Sequence, residues 1–132
     1  MNKSKKLIFV VDDDPVIRDS LESYLIFRGF IVRAMDDGMD VIQMCRHFLP
    51  DLIISDIRMP RLDGISLLQG LREKEKTKDI PVILMSAYTE DEIVKRAQEL
   101  GAEFFIFKPF TLPQLDEYIE KIFVEEYKYI VE

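Results

Sequence analysis

The sequence is poor in residues on which several classes of protein depend. Its 132 residues include one cysteine, one histidine and no tryptophan. The single thiol, Cys45, cannot form an internal disulfide, so we expect the reducing environment of the cytoplasm. His47, near the end of a predicted helix, is expected at the surface rather than in a catalytic site. An internally cross-linked scaffold is therefore excluded.

Long apolar runs and an excess of positive charge are also missing. No run approaches the roughly 18 apolar residues of a membrane-spanning helix. The run LIFVV near the start is too short for the core of a signal peptide. The 18 lysines and arginines are outnumbered by 25 acidic residues, which gives a net charge of −7. Because the apolar runs are short, we expect no insertion into a membrane. Because an acidic surface repels phosphate groups, we expect no direct binding of nucleic acid.

The composition that remains is that of a globular protein, with 48% hydrophobic and 33% charged residues. The length suits one domain with a substantial core. Five short apolar runs predict strands at residues 6–11, 31–35, 52–55, 82–86 and 104–107. Their continuous apolarity and β-branched content are typical of strands buried on both faces.

Apolar residues at helical spacing fill the segments between these runs, and in the second segment this spacing places Phe48 on the apolar face. We predict helices from Asp14-Pro15 to Gly29, over 38–48, over 65–74, from a capping box at Thr89 to Gly101, and from Pro113 to the chain end. Strands that alternate with helices five times predict an α/β fold, in which helices cover both faces of a parallel sheet. No repeat or linker interrupts the pattern, so one domain is expected over residues 1–132.

Polar residues of interest follow four of the predicted strands. Asp12 and Asp13 come after the first strand, Asp56 after the third, Ser86 ends the fourth, and Lys108 follows the fifth. The carboxyl ends of parallel strands share one edge, where open sheets bind their ligands. Each residue alone has an ordinary explanation as a turn acid, helix cap or solvated lysine, but their common edge indicates a site. The second strand ends in apolar residues and contributes no obvious candidate.

The chemistry of this set is coherent. Three neighbouring carboxylates raise one another's pKa unless positive charge neutralises them. A hard divalent cation with oxygen ligands, Mg²⁺ or Mn²⁺, would supply that charge. One carboxylate could then attack phosphorus and form an aspartyl-phosphate. The cation and the lysine would share the charge of the phosphoryl oxygens, and the serine would donate to another oxygen.

Four motifs point to a known family. They are VVDDDP, DLIISDIRMPRLDG, PVILMSAY and GAEFFIFKPF, and they occur in the order and at the spacing of that family. On these motifs the chain resembles the receiver domain of bacterial two-component response regulators over about residues 5–123. The resemblance implies a flavodoxin-like fold in three layers, with five helices and a five-stranded parallel sheet in the order 2-1-3-4-5. Residues 124–132 would extend the last helix.

The resemblance implies roles for the acidic residues and their neighbours. Asp56 matches the phosphoryl acceptor, Asp13 the direct metal ligand, and Asp12 the second acidic residue, which acts through water. The backbone carbonyl of Arg58 matches the third protein ligand of Mg²⁺. Lys108 matches the lysine that pairs with the phosphoryl group.

Other positions match the parts of the family that respond to phosphorylation. Ser86 matches the switch hydroxyl, and Phe105 matches the aromatic switch residue. Pro109 matches a cis-proline, a geometry that an X-Pro bond adopts at low energetic cost. Gly64 matches the glycine that turns the chain after the phosphorylation loop.

Two bulky side chains lie at positions that vary within the family. Arg58 follows the acceptor by two residues, and Tyr88 follows the switch serine by two. We expect both to tune the lifetime of the phosphorylated state. Two interpretations of Tyr88 stay open: it hinders the hydrolytic water, or it packs on the first turn of the fourth helix.

The resemblance implies a signalling switch rather than an enzyme that turns over a substrate. A sensor histidine kinase or a phosphotransfer protein would donate the phosphoryl group to Asp56. An output domain or protein would read the change on the face formed by the fourth helix, the fifth strand and the fifth helix. The tail at 124–132 is either a dimer or linker helix or a solvated end. The chain either stands alone or belongs to a longer regulator.

Two alternatives compete with this interpretation. In an enzyme of the haloacid dehalogenase type, Asp12 would be the nucleophile and Asp14 the acid/base. Against it, the chain is short for that family, Asp14-Pro15 has the pattern of a helix start, and the match around Asp56 would have no explanation. A receiver-like domain that signals without phosphate is disfavoured by the complete acidic set and by Lys108.

Overall fold

The computed structural model describes residues 5–87 and 90–131, and from residue 125 onward the backbone alone. Within those ranges, five strands alternate with five helices. The strands are β1 (Leu7–Val11), β2 (Ile31–Met35), β3 (Leu52–Asp56), β4 (Val82–Ser86) and β5 (Phe104–Phe107). The helices are α1 (Pro15–Phe27), α2 (Gly38–Met44), α3 (Gly64–Arg72), α4 (Asp91–Glu99) and α5 (Leu112–Val131).

The strands form one parallel sheet in the order β2-β1-β3-β4-β5. β1 lies between β2 and β3, and its Ile8 is opposite both Val32 of β2 and Leu52 of β3. The predicted fold and strand order are confirmed. Because all strands run in one direction, the residues that follow them meet at one edge of the sheet.

Alternate residues of the inner strands pack into two cores, one on each face of the sheet. In β1, Ile8 and Val10 pack with buried residues of α1 and α5. Phe9 and Val11 point to the opposite face and pack with residues of α2, α3 and α4. This two-sided burial explains why β1 is apolar throughout and why β3 and β4 are apolar up to the polar residues at their ends.

The two edge strands depart from the predicted burial on both faces. β2 exposes Ile31 and Arg33, and Phe107 of β5 is 45% exposed. An edge strand has a neighbouring strand on one side only and is covered less completely by the helices above and below the sheet. The prediction of two-sided burial was therefore wrong for β2 and β5.

Helix starts depend on the residue before the first turn. At α1, the side chain of Asp14 accepts a hydrogen bond from the N–H of Val16 (2.9 Å) and caps the helix as predicted. α4 begins at Asp91, and Glu90 occupies its N-cap position without a side-chain capping bond. The capping residue predicted for this helix, Thr89, lies outside the described residues.

Two helices end earlier than predicted. α2 stops at Met44 rather than at residue 48, because the chain tightens into a turn in which the N–H of His47 donates to the carbonyl of Met44 (2.9 Å). Phe48 is consequently 44% exposed instead of lying on the buried face. α3 ends at Arg72, two residues before its predicted end. In the described part of the chain, none of the helices combines the length and the apolarity that a membrane crossing would need.

Candidate functional site

Three carboxylates and one ammonium group meet where β1, β3 and β5 end. Asp12 and Asp13 follow β1, Asp56 is the last residue of β3, and Lys108 follows β5. One oxygen from each of the three carboxylates lies within 4.8 Å of the other two. The Lys108 Nζ atom is 2.9 Å from Asp12 Oδ2 and 3.4 Å from Asp56 Oδ2. Residues that are far apart in sequence therefore form one acidic cluster around a lysine.

Hydrogen bonds on several sides hold Asp12 in this cluster. Asp12 is fully buried, and its backbone N–H donates to the carbonyl of Met35 at the end of β2 (3.1 Å). Its Oδ1 atom accepts the N–H of Asp14 (2.9 Å), and its carbonyl accepts a guanidinium N–H of Arg18 (3.0 Å). Asp13 is exposed. The cluster thus combines one fixed carboxylate with one that is open to solvent.

Asp56 is held by the start of the following loop. It is 8% exposed, and its Oδ1 atom accepts the N–H of Ile57 (2.9 Å). The chain returns at Gly64, whose N–H donates to the carbonyl of Ile57 (2.8 Å). A β-carbon at Gly64 would overlap the carbonyl oxygen of Asp56, so the close return of the chain requires glycine.

The surroundings of Asp56 and Lys108 shift both of their pKa values. Burial raises the pKa of Asp56, the charge of Lys108 acts in the opposite direction, and the charge of Asp12 adds to the rise. Burial acts to lower the pKa of Lys108, but the hydrogen bond to Asp12 and the charges of both aspartates outweigh it, so this pKa is raised. The lysine therefore stays charged at neutral pH and neutralises part of the acidic cluster.

The ends of β4 and β5 complete this edge of the sheet. Ser86, the last residue of β4, is 1% exposed, and its carbonyl accepts the backbone N–H of Lys108 (2.8 Å). The bond between Lys108 and Pro109 is cis, as the resemblance implied. Phe105 is partly buried, and its ring centroid lies 5.2 Å from that of Phe107. Ser86 and Lys108 are thus joined through a backbone hydrogen bond.

The donor set fits a hard divalent cation. Asp12, Asp13 and Asp56 offer carboxylate oxygens, which are the ligands that Mg²⁺ and Mn²⁺ prefer. Arg58 lies two residues beyond Asp56, in the loop of residues 57–63, and its side chain is exposed. Tyr88, the other residue predicted to tune the site, lies outside the described residues.

A buried acid that was not among the predicted site residues, Asp37, lies just beyond the strand that was expected to contribute nothing. Asp37 is 2% exposed, and its carboxylate accepts the N–H of Met39 in α2 and the N–H of Arg61 in the 57–63 loop. Burial alone would raise its pKa, but these N–H groups, the Arg61 charge and the N–H of Leu62 outweigh burial and lower it. The Asp37-Gly38 pair ahead of a helical pattern is a signal for capping. The bond to Arg61, 24 residues away, depends on the fold.

The matched regions of known proteins cover most of the chain. The model of the response regulator receiver domain family matches residues 8–120. The chain is 37% identical over 114 residues to the DNA-binding transcriptional regulator NtrC of Proteus hauseri, covering 86% of this chain and 24% of that protein. It is 36% identical over 110 residues to the response regulator MprA of Mycobacterium ulcerans, covering 82% of this chain and 46% of that protein. The chain thus spans less than half the length of these two relatives.

Comparison of the fold leads to the same family. A response regulator receiver domain protein (CheY-like) from Methanospirillum hungatei JF-1 superposes with a TM-score of 0.87 at 27% identity, over 96% of this chain and 99% of that one. Family model, relatives and strand order agree with one another. The chain belongs to the response regulator receiver domain family.

Proposed function

We propose that the chain is a phosphorylation-activated signalling domain in which Asp56 accepts a phosphoryl group from a phosphohistidine. The observation that carries this proposal is the position of Lys108 against both Asp56 and Asp12 in a cluster of three carboxylates. A carboxylate beside a fixed ammonium group is a suitable nucleophile, because the ammonium neutralises phosphoryl charge as the new bond forms. Membership of the receiver family supports the same role.

The transfer is a displacement at phosphorus. An Asp56 carboxylate oxygen bonds to phosphorus as the bond between phosphorus and the donor imidazole nitrogen breaks. The donor imidazole, protonated on its other ring nitrogen, leaves as a neutral histidine. Later attack of water releases inorganic phosphate and restores the carboxylate. The domain promotes these steps on itself and turns over no separate substrate.

Four groups of the chain would hold Mg²⁺ or Mn²⁺: the carboxylates of Asp12, Asp13 and Asp56 and the backbone carbonyl of Arg58. When bound, the cation supplies positive charge that neutralises the carboxylates and the phosphoryl oxygens. The exposure of Asp13 supports this assignment, since a cation can reach it from solvent. The N–H of Asp14 keeps the carboxylate of Asp12 in place at 2.9 Å.

The signal is proposed to pass through β4 and β5. The hydroxyl of Ser86 would bind a phosphoryl oxygen, and the ring of Phe105 would change its rotamer. Partners would then read the face formed by α4, β5 and α5. The backbone bond between Lys108 and Ser86 supports this route, because it joins the two strand ends that face the phosphoryl group. The contact between the rings of Phe105 and Phe107 extends it to the surface.

A sensor histidine kinase or a phosphotransfer protein is proposed as the donor, and an output domain or protein as the recipient. The relatives support a separate output, since their lengths exceed the matched region more than twofold. Residues 1–132 are proposed as one cytoplasmic domain with its core at about 5–123. Beyond the core, α5 continues to Val131, as a dimer or linker helix would.

The haloacid-dehalogenase-type alternative is overturned by the family match. It also required Asp14 as an acid/base, whereas Asp14 is exposed and caps α1 through the N–H of Val16. A domain that signals without phosphate is separated from our proposal by a phosphorylation experiment.

The protein is incubated with acetyl phosphate and Mg²⁺, and its intact mass is measured. We expect one added phosphoryl group on the wild type and none on Asp56→Asn. Asp14→Asn is the matched control, because it changes a neighbouring acid that caps a helix, and it should be labelled like the wild type. The absence of any adduct on the wild type, or an adduct that survives in Asp56→Asn, would overturn the proposal.

Arg58 and Tyr88 are proposed to tune the lifetime of the aspartyl-phosphate. Each is bulky and stands two residues beyond a site residue. If the Tyr88 ring hinders the attacking water, Tyr88→Ala loses its phosphoryl group faster than the wild type. Equal rates of autodephosphorylation would assign Tyr88 to packing on α4 instead.

A further inference from the structure

Asp37 connects α2 to the loop that follows Asp56. It lies in the turn between β2 and α2 and is 2% exposed. Its Oδ1 atom accepts the N–H of Met39 (2.8 Å), which caps α2. Its Oδ2 atom accepts the N–H of Arg61 (2.7 Å), in the loop of residues 57–63. One buried carboxylate therefore joins the first turn of α2 to this loop.

Close packing supports the junction. A β-carbon on Gly38, the first residue of α2, would lie 2.7 Å from the carbonyl oxygen of Leu62, so the loop backbone lies directly against α2. The Arg61 guanidinium also lies 3.1 Å from Asp40 Oδ1 and 3.7 Å from Asp37 Oδ1. The Arg61 side chain is 58% exposed, so these ion pairs contribute little. The bond from the Arg61 backbone N–H to the buried Asp37 carboxylate is the main attachment.

The loop attached in this way contains Arg58, whose backbone carbonyl is a proposed metal ligand. Ile57 is the first residue of this loop. Its backbone N–H donates to Asp56 Oδ1 (2.9 Å) and to the carbonyl of Met85 (3.1 Å), so this end of the loop is fixed to the sheet. Asp37 attaches the chain three residues beyond Arg58. We infer that Asp37 is a positioning residue of the phosphorylation site, which keeps the 57–63 loop in place for cation binding and phosphoryl transfer. The inference rests on the proposed function.

A positioning role differs from helix capping in a way that one substitution can resolve. Serine caps helices about as well as aspartate. Its single short hydroxyl, however, cannot reach the N–H of Met39 and the N–H of Arg61 together. Asp37→Ser therefore retains the cap of α2 and removes the link to the loop. A loop that must be ordered at the moment of binding lowers affinity, because ordering it costs conformational entropy.

The experiment compares wild type, Asp37→Ser and two controls by three readouts. These are amide hydrogen exchange of peptides covering 57–63 in the metal-free protein, Mg²⁺ affinity by calorimetry, and the rate of labelling by acetyl phosphate. Arg61→Ala removes the exposed ion pairs but keeps the backbone N–H. Ile119→Val lowers stability from the core on the opposite face of the sheet, beneath α5.

We expect Asp37→Ser to speed exchange of the loop several-fold, to weaken Mg²⁺ binding by about tenfold and to slow labelling. Both controls should leave the three readouts unchanged. Wild-type loop exchange and Mg²⁺ affinity in Asp37→Ser would overturn the inference and leave Asp37 as a helix cap. Equal changes in Asp37→Ser and Ile119→Val would also overturn it. A wild type that takes up no phosphoryl group would overturn the proposed function instead, and loop exchange would still decide whether Asp37 holds the loop.

Discussion

Two buried aspartates beside the carboxyl edge of the sheet have opposite electrostatic surroundings. Asp37 accepts backbone N–H bonds from Met39 and Arg61, and together with the Arg61 charge and the N–H of Leu62 these outweigh burial and lower its pKa. Asp56 accepts one backbone N–H bond, and burial raises its pKa, with the charge of Asp12 adding to the rise against that of Lys108. The fold therefore stabilises the anion of one aspartate and leaves the anion of the other less stable.

This difference distinguishes a structural carboxylate from a reactive one. An anion whose oxygens are both engaged by N–H donors has little capacity left for a cation or an electrophile. Asp56 has one backbone donor, and its second oxygen faces Lys108 at 3.4 Å. In our account, Asp37 holds a loop and Asp56 accepts the phosphoryl group. Substitutions at the two positions should consequently change stability in opposite directions.

The largest loss of stability is expected for Asp37→Ala. The substitution removes the cap of α2 and leaves the N–H of Arg61 without its acceptor, which we expect to cost about 2–4 kcal/mol. Urea unfolding followed by far-ultraviolet circular dichroism measures the change. Asp36→Ala, at the exposed neighbouring acid, should change stability by less than about 0.5 kcal/mol. Equal effects at the two positions would contradict the anchoring role of Asp37.

Gly64→Ala tests the close return of the chain over Asp56. An added β-carbon would overlap the Asp56 carbonyl, and we expect a loss of about 1–3 kcal/mol together with slower phosphorylation. Gly70→Ala is the matched control within α3, because a β-carbon there has no neighbour within 4 Å. It should stabilise the protein by about 0.5–1 kcal/mol through helix propensity. Urea unfolding measures the stability of both variants. A Gly64→Ala variant as stable as the wild type would contradict the tight packing over Asp56.

Asp56→Asn is expected to raise the stability of the metal-free protein, a smaller change than the losses expected for Asp37→Ala and Gly64→Ala. A folded-state pKa above the unfolded value of about 3.9 means that the folded protein binds the proton more tightly. Wild-type stability therefore falls as the pH rises through the folded pKa of Asp56. Asp56→Asn lacks this loss, so its urea midpoint should exceed that of the wild type at pH 7 and match it at low pH.

Asp37 should show the reverse dependence on pH. Its folded pKa is lowered, so its stabilising contribution is present above the unfolded value of about 3.9 and is lost as the pH falls through the folded pKa. The gap in urea midpoint between wild type and Asp37→Ala should narrow as the medium becomes more acidic. A gap that widens towards low pH would contradict the assigned direction.

The smallest effect is expected for Asp14→Ala. Loss of an exposed helix cap should cost about 0.5–1 kcal/mol. Labelling by acetyl phosphate should proceed as in the wild type, since Asp14 contributes only its backbone N–H to Asp12. A collapse of labelling would place Asp14 in the chemistry and contradict the division of roles among the three consecutive aspartates.

The sequence allowed prediction of the features that depend on local pattern. Alternation in β1 sends Ile8 to one core and Phe9 to the other, which explains why its apolar run was recognisable as an inner strand. The common edge of Asp12 and Asp56 follows from strand direction alone.

Features that depend on tertiary contacts could not be predicted in this way. The bond from Asp37 to Arg61 joins segments 24 residues apart, and no local pattern encodes it. Phe48 was placed on a buried helix face by its spacing, yet α2 ends four residues earlier and leaves it exposed. The burial of an edge strand also depends on the helices that the fold places beside it. Phe107 in the edge strand β5 is about half exposed although it ends an apolar run.

The most direct test of the account is to map the phosphorylated residue. The protein is treated with acetyl phosphate and Mg²⁺ and then with borohydride, which reduces an aspartyl-phosphate to homoserine, and its peptides are sequenced by mass spectrometry. We predict homoserine at position 56 and aspartate at positions 12, 13 and 37. Homoserine at Asp12 or Asp13, or its absence from every peptide, would contradict the assignment of Asp56 as the phosphoryl acceptor.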